Sequence, residues 1–206
     1  MRDPIYSPHT PISYADYLAA DEASSKKHEF CGGAIRAMAG GTPTHSKLGT
    51  NALGELYSAL RGRSCQPRNS DQRVRVDETG EAFYPDALVV CAPDEYSSFD
   101  RNALVNPTLI LEVMSPSTRE FDRTAKFASY SLIPSLRDVL FIESNFVRIE
   151  HYHRENAQTE WFYRAFYRRA DSFSIESLQI SLSLEAIYLG VDVPDALLAF
   201  AELRSE

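Results

Sequence analysis

Two carboxylates stand where the chain reads as buried strand. Asp86 lies inside FYPDALVVC and Glu112 inside PTLILEVM, each at the edge of an apolar run. An unpaired carboxylate in a low-dielectric core costs several kcal/mol or takes up a proton, so a partner side chain, a hydrogen-bond network or a metal ion must compensate. Both segments are short and β-prone. If they are sheet neighbours with both acids on one face, their oxygens could share a hard divalent cation. Magnesium accepts one or two carboxylates, with water and phosphate oxygens completing its shell, and the Val113 carbonyl could add a further oxygen. A salt-bridged structural pair explains the same two residues.

The residues that follow bear on that choice. MSPSTRE leaves the strand through a proline, and Ser117 with Glu120 has the spacing of a capping box. A helix beginning there offers free N–H groups, which favour anions. Asp122, Lys126 and Tyr130 recur at four-residue steps and share one face, giving Lys126 a route back over the carboxylates. An exposed Asp122–Lys126 ion pair of little energetic weight has the same spacing. Ser115, Ser117 and Thr118 read as turn and cap residues rather than nucleophiles.

The surrounding elements must hold these groups. SYADYLAADEASSK reads as a first helix capped by Ser13, and KKHEFCGGAIRAMAGG as a hairpin turning at Gly32-Gly33. In TPTHSKLGTNALGELYSALRGR, Leu48, Ala52, Leu56, Ala59 and Leu60 recur at helical steps, with Gly62 as the terminator. QRVRV, FYPDALVVC, PTLILEVM, RDVLFIES, VRIEHYHRE and EWFYRAFYRR suit a sheet, with STREFDRTAKFASYSL as a helix between the third and fourth. SLEAIYLGVDVPDALLAFAELRSE reads as a short helix, a Val-Pro break and a last helix. This order predicts an α/β or α+β fold with a mixed sheet flanked by helices. The expected organisation is one domain over 1–206: helix and hairpin in 13–41, core in about 43–170, and a helical tail in about 183–206.

Composition narrows the function classes. The chain of 206 residues has room for one sizeable core, and no apolar run approaches the roughly 18 residues of a membrane helix. The N-terminal residues lack a secretory layout. Three cysteines, Cys31, Cys65 and Cys91, are odd in number and widely spaced, which predicts free thiols and a cytoplasmic protein. A net charge of −8 argues against nonspecific attraction to phosphate backbones. Acids gathered in one cleft would raise that count and attract divalent cations.

Taken together, YPDALVV, LEVMSPST and DRTAKFASY resemble the Uma-two-type restriction endonucleases, which are assigned to the PD-(D/E)XK nuclease superfamily. HEFCGGAIRAMAGGTPTHSKLGTNALGELYSAL is similar to that family's Glu-x-x-x-Gly hairpin and His-bearing helix, and SLEAIYLG to its closing segment. The resemblance implies a restriction-endonuclease-like core, Mg2+ or Mn2+ bound by Asp86 and Glu112, and Glu29 as an early acid beside the metal. It also implies that Lys126 serves as the catalytic lysine, because Met114 stands where the parent pattern has one. That substitution requires the Lys126 helix to bring its ammonium to the attacking water or scissile phosphate. SLIPSLRDVLFIES replaces the family's Gly-Val-Pro-Glu-Tyr-Trp run, altering packing beside the site. His45, in the first turn of the long helix, Ser117 and Tyr130 are possible substrate contacts. The implied substrate is nucleic acid, DNA first, and the implied assembly is a homodimer with no membrane partner.

Other features read as structural. His151 and His153 share a strand face with metal-compatible spacing but no third ligand in view, and are expected at the surface. Trp161, Phe162, Tyr163, Phe166 and Tyr167 are expected in a core or subunit contact, and Cys91 as a buried apolar residue. Arg164, Arg168 and Arg169 form the one noticeable basic cluster. Two rival functions remain: an inactive binding or oligomeric regulatory module of the same fold, and a hydrolase using Asp86 and Glu112 as an acid–base pair without metal.

Overall fold

In Pro107–Met114 successive side chains alternate between two sides. Leu109, Leu111 and Val113 enter one apolar core, Ile110 and Met114 another, and all five are buried. A strand that is apolar on both sides needs a cover on each, and this requirement organises the chain.

The computed structural model describes residues 11–38 and 40–196. In chain order its strands are β1 (His28–Cys31), β2 (Ala34–Ala37), β3 (Cys65–Asn69), β4 (Arg73–Val76), β5 (Glu81–Phe83), β6 (Ala87–Cys91), β7 (Ala103–Leu104), β8 (Pro107–Met114), β9 (Asp138–Glu143), β10 (Ile149–His153), β11 (Phe162–Phe166), β12 (Ser172–Ile175) and β13 (Ile180–Ser183). The helices are α1 (Tyr14–Ala23), α2 (Pro43–Leu60), α3 (Arg119–Phe121), α4 (Phe127–Tyr130) and α5 (Leu184–Ile187), with a π-helical turn (Asp122–Lys126) joining α3 to α4. A six-stranded sheet runs β11-β10-β9-β8-β6-β3, antiparallel except where β8 meets β9. A five-stranded sheet runs β2-β1-β5-β4-β7, with β4 and β7 parallel. Parallel neighbours require a crossover, and that from β8 to β9 carries the π-bulged helix.

The long helix forms as its periodicity predicts. Thr42 caps it by accepting from the His45 N–H, Pro43 occupies its first turn, and Gly62 follows it at φ +77°. Leu48, Ala52, Leu56 and Leu60 cover the Leu109–Leu111–Val113 side of the sheet. Tyr130, Ile133 and Leu136 cover the Ile110–Met114 side. Ser13 caps α1, and the turn between β1 and β2 uses Gly32 and Gly33 at positive φ.

Several expectations are corrected. Cys65 and Cys91 face each other across the β3–β6 ladder and are joined by a disulfide, leaving Cys31 as the free thiol. Cys91 is therefore half of a cross-strand bridge, and cysteine count loses its weight for the compartment. His151 is buried rather than at the surface, bonded to Asp138. Phe162 and Tyr163 are 56% and 47% exposed, which removes the core half of their expectation and leaves the subunit contact. Ser117 is not the helix cap: Thr118 holds that position and makes no side-chain cap bond. The β12–β13 hairpin, which seals the α2-side core with Phe173, Ile175, Ile180 and Leu182, carries no strong sequence signal. The last helix expected in the tail lies outside the described residues. No helix among the described residues is long and apolar enough to cross a membrane.

Leu56 has no exposed surface, whereas its neighbour Tyr57 is 54% exposed. Leu56→Ala should destabilise the protein by about 2–5 kcal/mol and Tyr57→Ala by under about 0.5 kcal/mol. Urea unfolding of the two variants checks this, and equal losses would contradict the assigned helix face.

Candidate active site

Antiparallel pairing of β6 with β8 sets Ala87 opposite Leu111. Asp86 and Glu112 each lie one residue beyond that pair, so they are neighbours across the ladder, as expected. Asp86 is half-buried. Its Oδ2 accepts from the Val113 N–H at 2.7 Å and faces the His45 Nε2 at 3.2 Å. Its bond to Asp86 raises the His45 pKa above the ordinary histidine value; burial opposes this, and the Asp86 and Asp122 charges and the Val113 backbone add to it. His45 is therefore aimed at Asp86 and Val113 from the first turn of α2. Gly41 makes room for this ring, because a Cβ there would lie 2.7 Å from the His45 Nδ1.

Glu112 is 3% exposed. Its Oε1 accepts from the Tyr130 hydroxyl at 2.8 Å and from the Lys126 ammonium at 3.2 Å. The ammonium also meets Glu29 Oε1 at 2.8 Å and Asp122 Oδ1 at 3.4 Å. Burial pushes the Glu112 carboxyl well above the usual range; Lys126 pulls it back, while Asp122, Asp86 and Glu29 add to the rise. Burial alone would discharge Lys126, but Glu112, Glu29 and Asp122 outweigh it and raise the ammonium's pKa. Burial also raises the Tyr130 hydroxyl's pKa, Glu112 and Glu29 adding to the rise, so the phenol stays a donor.

Glu29, Asp86, Glu112, Lys126, Val113, His45 and Tyr130 thus converge as one connected group. Glu29 reaches it from β1, whose hairpin lies on the five-stranded sheet. Tyr130 is fully buried and its hydroxyl contact is with Glu112. Ser117 stays outside the group: it is exposed and bonds Ser115 at 3.0 Å. Two members escaped sequence reasoning as site residues. Asp122 is 4% exposed, a buried partner of Lys126 rather than half of a surface pair; its only signal was the four-residue spacing. Gly41 had no signal, because its role depends on the His45 ring. The π turn, where the Phe127 N–H bonds the Asp122 carbonyl, spans Asp122 to Lys126, and such turns recur at functional sites.

The donor set suits a hard cation. The contacts above use Asp86 Oδ2 and Glu112 Oε1, so each acid keeps its second oxygen. Among the described residues no three His, Cys, Asp or Glu side chains are arranged to hold a metal ion. A cation here would therefore take these two carboxylates and complete its shell with the Val113 carbonyl, water and substrate oxygens, within what magnesium accepts.

Two mixed sheets flanked by helices, with acids gathered where β1, β6 and β8 approach the β8–β9 crossover, define a restriction-endonuclease-like α+β fold. Residues 14–186 match the model of the Uma2 family, described as "Putative restriction endonuclease", and the chain belongs to that family. An uncharacterized protein of Synechocystis sp. is 33% identical over 189 residues, covering 90% of this chain and 97% of the relative. A second from the same organism is 34% identical over 143 residues, covering 69% and 81%. The fold is similar to the crystal structure of "a putative nuclease belonging to DUF820" from Anabaena variabilis, with a TM-score of 0.71 at 15% identity over 86% of this chain and 98% of that one.

Removing the ammonium would leave three buried carboxylates without their cation. Lys126→Met should destabilise the protein by about 3–5 kcal/mol at pH 7, with part of the loss recovered at pH 5. The sign follows from Glu112: a carboxyl whose folded pKa is raised contributes stability at low pH that is lost as pH rises through that pKa. Urea unfolding at both pH values checks this, and a pH-independent loss would contradict it.

Proposed function

We propose that this protein is a metal-dependent endonuclease that hydrolyses phosphodiester bonds, with DNA as substrate and Mg2+ or Mn2+ as cofactor. One observation carries the reading: the Glu29, Asp86, Glu112 and Asp122 carboxylates are gathered around one lysine ammonium and one histidine. So much buried negative charge favours a further cation. When bound, the metal would lower the pKa of a water and neutralise charge on a phosphoryl oxygen. The chain's own residues would do the rest. The Val113 N–H and His45 orient Asp86, while Tyr130 and Lys126 orient Glu112. Lys126 carries the positive charge that would steady the extra negative charge of the transition state, standing in for the lysine absent at Met114. Glu29 sets the ammonium's position, and Ser117 at the exposed entry to α3 remains a substrate contact in this reading.

The same reading treats the chain as a single cytoplasmic domain acting on nucleic acid as a homodimer. The edge of β11, unpaired among the described residues, with Tyr163 exposed, supports a subunit contact. One observation favours the alternative of an inactive binding or regulatory module: Lys126 is held by three carboxylates, so its charge is already compensated.

The test is cleavage of supercoiled plasmid with Mn2+, alongside Mn2+ titration followed by paramagnetic resonance. Wild type should nick the plasmid. Asp86→Ala should lose both metal binding and cleavage, and Lys126→Ala should bind Mn2+ while cleaving at least ~100-fold more slowly. Cleavage that survives a chelator would overturn the metal dependence, and a wild type inert on DNA and RNA would favour the inactive module.

A further inference from the structure

The β1–β2 register sets Arg36 directly opposite Glu29, and such partners stand on one side of the sheet with Cβ atoms roughly 5 Å apart. Their side chains end in different places. Glu29 is buried and meets the Lys126 ammonium at 2.8 Å, whereas Arg36 is exposed. The Arg36 guanidinium carbon lies 4.0 Å from the centre of the Phe121 ring. Phe121 immediately precedes the π turn, and the Lys126 ammonium lies 5.9 Å from the same ring centre. One aromatic ring therefore holds an outer cation close to the inner one.

Arg36 differs from its neighbours in having no polar partner. Arg119 and Arg123, on the same crossover segment as Phe121, meet Glu143 at 2.6 Å and Glu150 at 3.1 Å. Among the described residues Arg36 makes no ion pair, and no acceptor takes the N–H groups of its guanidinium. Contact with the ring engages the flat side of the guanidinium, while its five N–H donors lie in the guanidinium plane and stay free. The surroundings are acidic, since the carboxylates of Glu29, Asp86, Glu112 and Asp122 outnumber Lys126 and His45. A phosphodiester entering there meets like charge, and a cation at the rim lowers that barrier.

We propose that Arg36 is a substrate contact of the acid site, holding a DNA backbone phosphate that flanks the cleaved one. This inference rests on the nuclease reading and deepens it by naming where the substrate strand is gripped. Guanidinium forks match phosphate oxygens in a bidentate manner, and the Phe121 ring sets the fork beside the acids. Lys126 stays with the cleaved phosphate, and the β1–β2 hairpin delivers one residue to each role: Glu29 inside, Arg36 outside.

Fluorescence anisotropy of the full chain with a short labelled DNA duplex tests the contact over a series of NaCl concentrations. Ca2+ replaces Mn2+ as the cation for the carboxylates. Arg36→Ala should weaken binding at least ~10-fold at low salt. It should also flatten the plot of log affinity against log salt by about 0.9, the value for one phosphate. Arg36→Lys should keep the wild-type slope and regain part of the affinity. Arg61→Ala is the control and should bind as wild type does. Arg61 also lies over a ring, that of Tyr57 at 5.6 Å, but at the far end of α2, roughly 24 Å from His45. Mn2+ affinity, followed by paramagnetic resonance, should be unchanged in Arg36→Ala. If Arg36 only covers Phe121, Arg36→Ala melts at a lower temperature while its DNA affinity and slope stay wild type. That result would overturn the contact and leave the nuclease reading standing. An equal loss in Arg61→Ala would overturn it in favour of nonspecific attraction, and weakened Mn2+ binding in Arg36→Ala would overturn it in favour of a role at the metal. A wild type that binds neither DNA nor RNA would overturn the nuclease reading and this contact with it.

Discussion

The structure turns on one buried ammonium. Lys126 sits among Glu29, Glu112 and Asp122, which arrive from β1, from β8 and from one turn earlier in its own helix. Charges at such separations interact far more strongly inside a protein than in water. The ammonium therefore ties the hairpin, the central strand and the crossover helix together, and no member of the group can be removed without stranding another. Asp86 belongs to the same charge system through Glu112, yet it is held separately by the Val113 N–H and His45.

The fold serves this arrangement by giving β8 two different covers. α2 closes one side with aliphatic residues and delivers His45 from its first turn. The crossover helix closes the other and delivers Asp122, Lys126 and Tyr130. Because the crossover must return the chain parallel to β8, it crosses the sheet on the Ile110–Met114 side, which by strand alternation is the side of Glu112. Part of the net charge of −8 is thereby concentrated in the acids around Lys126.

Much of this was legible along the chain. The α2 periodicity, the Gly32-Gly33 turn, the adjacency of the Asp86 and Glu112 strands and the shared face of Asp122, Lys126 and Tyr130 are local patterns, and local patterns survive into the fold. The misses share a cause. Cys65 meets Cys91 only through the β3–β6 register, so counting cysteines could not pair them. His151 is buried against Asp138, which lies on the same face two residues from its partner Leu140 in the neighbouring strand, and Asp122 is buried because the helix packs against acids from other segments. Ser117 lost the cap to Thr118 although its spacing to Glu120 was correct, since the Ser115–Ser117–Thr118 hydroxyls bond one another in the turn.

The sequence by itself determined which residues form helices and strands, which faces are apolar, and which acids and lysine are available for chemistry. Hydrophobic periodicity and turn chemistry act over a few residues, so they can be read in order. Only the tertiary structure decided which charge neutralises which: that Lys126 serves three acids, that His45 turns to Asp86 over Gly41, and that His151 meets Asp138. Those outcomes depend on strand register and on the side of the sheet a crossover takes, and both are set by packing between segments far apart in the chain.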